Sequence, residues 1–174
     1  VKTSTNDFEG FSSPNFDNLA NLEQNIEVRT HLVYSPNTKA LKLYTEFSER
    51  VVNVTVFPGY NTSVLIELVR SGKLEGIVLK TFGAGNLPTG KQWKTLVEAC
   101  EEQETIILAT TQCPNGQIEL GQYASSNVLK SKAVVDGKDI TPEAALTKLM
   151  WVIGNFDATK RCTMLAQNLR GEIS

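Results

Sequence analysis

The chain has 174 residues, 41% of them apolar, and a formal net charge of −2. That length suits one domain, or one domain with the tail of another. The apolar content argues against disorder, and the small charge exerts no long-range pull on nucleic acid or an anionic membrane. No apolar run approaches the roughly 20 residues that span a bilayer.

The first 48 or so residues are polar and irregular, with a turn cluster at Ser12-Ser13-Pro14-Asn15 and another at Ser35-Pro36-Asn37-Thr38. Between them Ile26, Val28, Thr30, Leu32 and Tyr34 alternate as in a strand. The chain begins abruptly at Val1-Lys2-Thr3, without an initiator Met or a signal peptide, and reads as a fragment or a processed chain. From Val51 the pattern changes. A β-branched run to Phe57 ends at Pro58-Gly59, and a helix follows with Val64, Leu65, Leu68 and Val69 at helical spacing and Gly72 as its stop. Leu74 to Phe82 reads as the second strand, Gly83-Ala84-Gly85-Asn86-Leu87-Pro88 as a glycine loop, and about Thr89 to Gln103 as a helix. Thr105 to Thr110 is the third strand, and Thr111 to Gly116 a polar loop at its carboxyl end. A short helix is expected over Gln122 to Leu129. The next helix starts with Thr141 as N-cap and Pro142 at its first position, and buries Ala144, Ala145, Leu149, Val152 and Ile153. Phe156 to Leu169 is the last, with Asp157 as N-cap. Strand and helix in alternation predict an α/β fold, a short parallel sheet flanked by helices, with strands buried on both faces.

Three cysteines, Cys100, Cys113 and Cys162, stand far apart; an odd count without close pairing argues against disulfides or a zinc site and fits a reducing compartment. The sequons Asn53-Val-Thr55 and Asn61-Thr-Ser63 read as chance, the first lying in a strand-like run. Ligands of open parallel sheets gather beyond the carboxyl ends of strands, which singles out Lys80–Asn86 and Thr110–Gly116. Such glycine loops are often only tight turns, and the sixth position of the Gly83 loop is Leu87, so a dinucleotide site is weakly supported. Cys113 is a nucleophile candidate only if His31, the one histidine, comes close to it. Cys100 and Cys162 fall among apolar helix residues, where packing is the commoner role. Glu101-Glu102 reads as an exposed helix end.

Several ordered motifs resemble one family. Val1-Lys2-Thr3-Ser4-Thr5 with Phe11-Ser12-Ser13-Pro14-Asn15, Val56-Phe57-Pro58-Gly59, Leu79 to Pro88, Thr111-Gln112-Cys113, Asp139 to Leu149 and Asn168-Leu169-Arg170-Gly171-Glu172 are similar to segments of the type I bacterial L-asparaginases, and together cover essentially the whole chain. The resemblance implies a Rossmann-like three-layer carboxy-terminal domain over residues 49–174. Residues 1–48 would be the end of a larger catalytic α/β domain and the linker. It implies hydrolysis of L-asparagine to L-aspartate and ammonia in the cytoplasm by a homodimer or homotetramer, with no cofactor, metal, nucleic acid or membrane partner.

The family's nucleophile is a Thr in a Gly-Gly-Thr context, and a second Thr precedes Asp; neither motif occurs in these 174 residues. The chain alone is therefore expected to be inactive and to need the amino-terminal part of the enzyme. By the resemblance Lys2 is the catalytic lysine, able to accept a Thr hydroxyl proton if burial lowers its pKa. Asn86 matches the residue lent to a neighbouring subunit's substrate site. Lys80, Thr111, Gln112, Cys113 and Pro142, with Val1, match an allosteric asparagine site. Lys80 and Val1 stand where the regulated pattern has Arg and Thr. A lysine cannot grip a carboxylate through a planar fork, so allosteric control is expected to be weak or absent. The competing readings are a tRNA-dependent amidotransferase subunit or a glutaminase, which share the fold, and a non-catalytic small-molecule-binding module.

Overall fold

A computed structural model describes residues 1–22, 24–33, 40–121 and 124–174. It divides into two compact units, Val1–Leu43 and Tyr44–Ser174.

In the first unit two short strands, β1 (Ala20–Leu22) and β2 (Ile26–Val28), pair antiparallel with Leu22 opposite Ile26. The alternating stretch from Ile26 is thus a strand for three residues only. It turns into a 3-10 segment at Thr30–Leu32, and Tyr34 lies outside the described residues. Alternation without a buried face cannot hold a longer strand: Leu22 and Ile26 are 78% and 72% exposed. Gly10 is the one buried residue of the unit among those described. The Ser35-Pro36-Asn37-Thr38 turn also falls outside them.

The second unit has a four-stranded, all-parallel sheet in the order β3 (Val51–Thr55), β4 (Gly76–Thr81), β5 (Ile106–Thr111), β6 (Val134–Asp136). Helices α1 (Ser63–Arg70) and α2 (Lys91–Glu102) cover one face; α3 (Pro142–Asn155) and α4 (Ala158–Ala166) cover the other. Alternate residues of each strand serve the two layers. Ile77, Leu79 and Ile107 pack with Leu65, Val69, Trp93 and Leu96, while Val78, Ile106 and Leu108 pack with Leu149, Val152, Ile153 and Leu165. Each large aliphatic side chain so enclosed contributes about 1.5–3 kcal/mol. Two-sided burial explains why β4 and β5 read as unbroken apolar runs. Gly76 opens β4 because a Cβ there would meet Ile153 Cδ1 at 2.8 Å and Leu149 Cδ2 at 2.9 Å.

Several boundaries differ from the sequence reading. Helix α2 begins at Lys91 with Gly90 as its N-cap residue, not at Thr89, and Gly90 has a φ of 155°. Helix α4 runs Ala158–Ala166, and Asp157 holds the N-cap position without a side-chain capping bond. The segment before Leu129 is 3-10 over Ala124–Leu129; Gln122 and Tyr123 lie outside the described residues. Strand β6 is too short, and too edge-like, to have stood out. Helix α3 starts as its caps dictate, with Thr141 Oγ1 accepting from the Ala144 N–H at 3.3 Å and Pro142 in its first turn. Its far end holds the segment 44–48. Trp151 Nε1 donates to Tyr44 O at 3.2 Å, Asn155 Nδ2 to Glu46 O at 2.6 Å, and Ser48 N to Met150 O at 3.0 Å.

Candidate functional site

The carboxyl ends of β4 and β5 carry two loops bonded to each other. After Thr81 the chain folds back in a hairpin: Phe82 N donates to Asn86 O at 2.9 Å, and Asn86 N to Phe82 O at 2.8 Å. Gly83 and Gly85, at φ 46° and 114°, supply the left-handed backbone this reversal requires. Leu87 plugs the hairpin's exit into the α1–α2 core, and Glu119 N reaches Ala84 O at 2.9 Å. Asn86 is half-buried at the base of the hairpin.

The β5 loop braces that hairpin. Thr111, 5% exposed, donates its hydroxyl to Gly83 O at 2.7 Å and accepts from Cys113 N at 3.0 Å. Gln112 Nε2 donates to Val56 O at 2.7 Å and Lys80 O at 3.0 Å, so one amide closes the ends of β3 and β4. Both its N–H donors are thereby used within the fold. Thr81, buried, donates to Thr110 O at 2.9 Å. Thr81 belongs to the same rim; the sequence reading included it in the Lys80–Asn86 segment but gave it no role of its own.

The five residues matched to an allosteric site divide between the sheet faces. Lys80 alternates with Val78 and so shares the α3 face, where its register partner is Thr110; Pro142 opens α3. Thr111 alternates onto the α1–α2 side. Lys80 is half-buried and Cys113 is exposed. In the first unit Lys2 is exposed, with Nζ 4.6 Å above the Phe11 ring and its backbone bridged to Phe11. The Val1 ammonium donates to Ser12 O at 2.6 Å. No described residue of that unit encloses Lys2. His31 belongs to the first unit and Cys113 to the second. Burial pushes the Cys100 thiol up to about 12, consistent with packing. No group of metal-ligating side chains occurs among the described residues. No helix there is long and apolar enough to cross a membrane.

Two other matched motifs are structural. Lys148, buried in α3, pairs with Glu172 Oε1 at 2.7 Å and donates to Gln167 O at 2.5 Å. The Glu172 carboxylate also accepts from Arg170 N at 2.6 Å and Leu169 N at 3.1 Å. Burial pushes this carboxyl up, but Lys148 and the backbone N–H groups outweigh it and hold it below the ordinary glutamate value. Asp139 is likewise pushed up by burial and held below its ordinary value by the Ser174 hydroxyl and N–H. A pocket of about 310 Å³, lined by Cys100, Glu104, Lys132, Arg161 and Cys162 among others, opens at the amino edge of the sheet, away from the loops.

An open parallel α/β domain with its hydrogen-bonding loops at the carboxyl edge is a ligand-binding architecture. Residues 50–164 match the Glutaminase/Asparaginase C-terminal domain, and the chain belongs to that family. It is 30% identical to an L-asparaginase of Dirofilaria immitis over 100% of the chain and 30% of that protein. To L-asparaginase 1 of Escherichia coli it is 28% identical over 100% of the chain and 52% of that protein. The solved L-asparaginase I of Vibrio cholerae matches with a TM-score of 0.82 and 30% identity, over 94% of this chain and 49% of that one. These likenesses bear out the resemblance to type I asparaginases drawn from the motifs. A glutamyl-tRNA(Gln) amidotransferase component of Methanococcus maripaludis is 29% identical over 95% of the chain and 40% of that protein. The chain spans about half, or less, of the length of these relatives.

Proposed function

We propose that this chain is the carboxy-terminal part of an L-asparaginase of the type I kind, acting in the cytoplasm. The observation that carries the reading is the hydrogen-bonded Phe82–Asn86 hairpin at the carboxyl edge of β4, in a chain similar to asparaginases throughout. In this reading the amino-terminal part supplies the Thr nucleophile, and Lys2 takes the proton of a Thr hydroxyl. Lys2 would then need the enclosure that its own unit does not give, because burial lowers a lysine's pKa and leaves the amine unprotonated, able to accept a proton, at neutral pH. Asn86 lends its amide, both donor and acceptor, to the zwitterionic substrate of a neighbouring subunit in a homodimer or homotetramer. Lys80, Thr111, Gln112, Cys113 and Pro142 border an effector position with little grip on a carboxylate.

The test compares ammonia release from L-asparagine by the 174-residue chain and by the complete enzyme. The chain alone is expected to be silent, and the complete enzyme active with hyperbolic kinetics. Ammonia released by the chain alone overturns the division of labour; a Hill coefficient well above one overturns the weak effector site. The second reading, an amidotransferase component, rests on the Methanococcus maripaludis relative. Glutamine-dependent amidation of a misacylated tRNA by the complete protein would decide for it.

A further inference from the structure

Thr111 was matched to the effector position, but its hydroxyl proton and one of its lone pairs are committed to the two loops themselves. Its proton goes to Gly83 O at 2.7 Å, and its oxygen takes the Cys113 N–H at 3.0 Å. Gly83 is the residue after the hairpin's first rung and has a left-handed φ of 46°. The rungs Phe82 N to Asn86 O and Asn86 N to Phe82 O make the hairpin one body. What holds Gly83 O therefore acts, with the Glu119–Ala84 bond and the packing of Leu87, on where Asn86 sits. The opposite strand end provides a matched comparison: Thr105, 1% exposed, donates its hydroxyl to Leu74 O at 3.0 Å. The chemistry is the same, but Thr105 touches no loop of the carboxyl edge.

We propose that Thr111 is a positioning residue, whose hydroxyl fixes the Asn86 hairpin for binding of an α-amino acid amide substrate. The inference rests on the assignment of Asn86 to the substrate site. Replacing the hydroxyl with a methyl removes the bonds to the Gly83 carbonyl and the Cys113 N–H and frees the hairpin to drift. Thr111→Ser keeps the bond and should keep the Michaelis constant.

The experiment measures steady-state kinetics and thermal unfolding of the complete enzyme carrying Thr111→Val, Thr111→Ser, Thr105→Val, Asn86→Ala or the Thr111→Val/Asn86→Ala pair. Thr111→Val is expected to raise KM for L-asparagine by about tenfold, the equivalent of one hydrogen bond, with kcat nearly unchanged. Thr105→Val should lower the unfolding temperature without moving KM. The double variant should bind no worse than Asn86→Ala alone, because both changes remove the same contact. A normal KM in Thr111→Val beside a raised KM in Asn86→Ala overturns the role of Thr111 and leaves that of Asn86 standing. A normal KM in Asn86→Ala overturns both. Equal KM shifts in Thr111→Val and Thr105→Val would mean general loosening and also refute the proposal. Should Thr111→Val not fold, Thr111→Cys, a weak donor of similar size, is read in the same way.

Discussion

Among single residues, Glu172 joins a buried ion pair to two backbone N–H groups. Its carboxylate is enclosed with the Lys148 ammonium, and removing one charge of such a pair strands the other. Glu172→Gln should therefore destabilise the chain by about 3 kcal/mol at pH 7, as measured by urea unfolding. The pH dependence has a definite sign. The folded-state pKa is lowered, so the contribution is present above the unfolded value of 4.5 and is lost as pH falls below it toward the folded value. The wild type should lose stability as pH falls below 4.5, and Glu172→Gln should show a shallower fall. Equal acid sensitivity in the two proteins would show that other carboxylates govern that transition. The sequence displayed Glu172 as part of a motif but could not show its partner. Lys148 lies 24 positions earlier in an apolar helix stripe, where a lysine looks misplaced until its counter-ion is seen. Asn86 and the glycines around it were more legible, because left-handed backbone has a residue signature of its own.

At the level of elements, hydrophobic period carried most of the information. β4 and β5 were legible because both faces are buried, and α3 because Thr141 and Pro142 mark its start. β1, β2 and β6 were poorly legible: three residues are too few for a period, and partner strands rather than composition define them. Helix α3 also holds a position that propensity alone misjudges. Gly154 lies in its last turn, where alanine would ordinarily favour the helix by about 0.5–1 kcal/mol. A Cβ there would fall 2.7 Å from the Glu46 carbonyl carbon and oxygen, so the helix and the 44–48 segment could not keep their approach. Gly154→Ala is expected to cost about 1–3 kcal/mol, the scale of overpacking. The Trp151 Nε1–Tyr44 and Asn155–Glu46 bonds should be the first to go. Unfolding monitored by tryptophan fluorescence would test this, and a stabilised variant would contradict it.

For the molecule as a whole, the proposed function places Lys2 and Asn86 in different chains of each active site. Lys2→Met should lower kcat by about 100-fold or more, the scale of a general base, while Asn86→Ala mainly raises KM. Mixing the two variants under conditions of subunit exchange should restore part of the activity, because one site in a mixed dimer would be whole. Verified exchange without recovery would confine Asn86 to its own chain's site or to none. Sequence could name these two residues but not their surroundings, since the proposed enclosure of Lys2 would have to come from outside its unit, where Lys2 is exposed. The sheet's two rims also differ in what closes them. At the amino rim, Arg50 meets Glu75 at 2.8 Å through side chains that reach solvent. At the carboxyl rim, neutral threonine and glutamine groups bond to backbone carbonyls. Dissolved electrolyte screens exposed ion pairs and hardly touches neutral, buried bonds. A salty medium would thus weaken the ion pair at the amino rim, where the neutral Thr105–Leu74 bond remains, and leave the bonds of the carboxyl rim and its two loops unchanged.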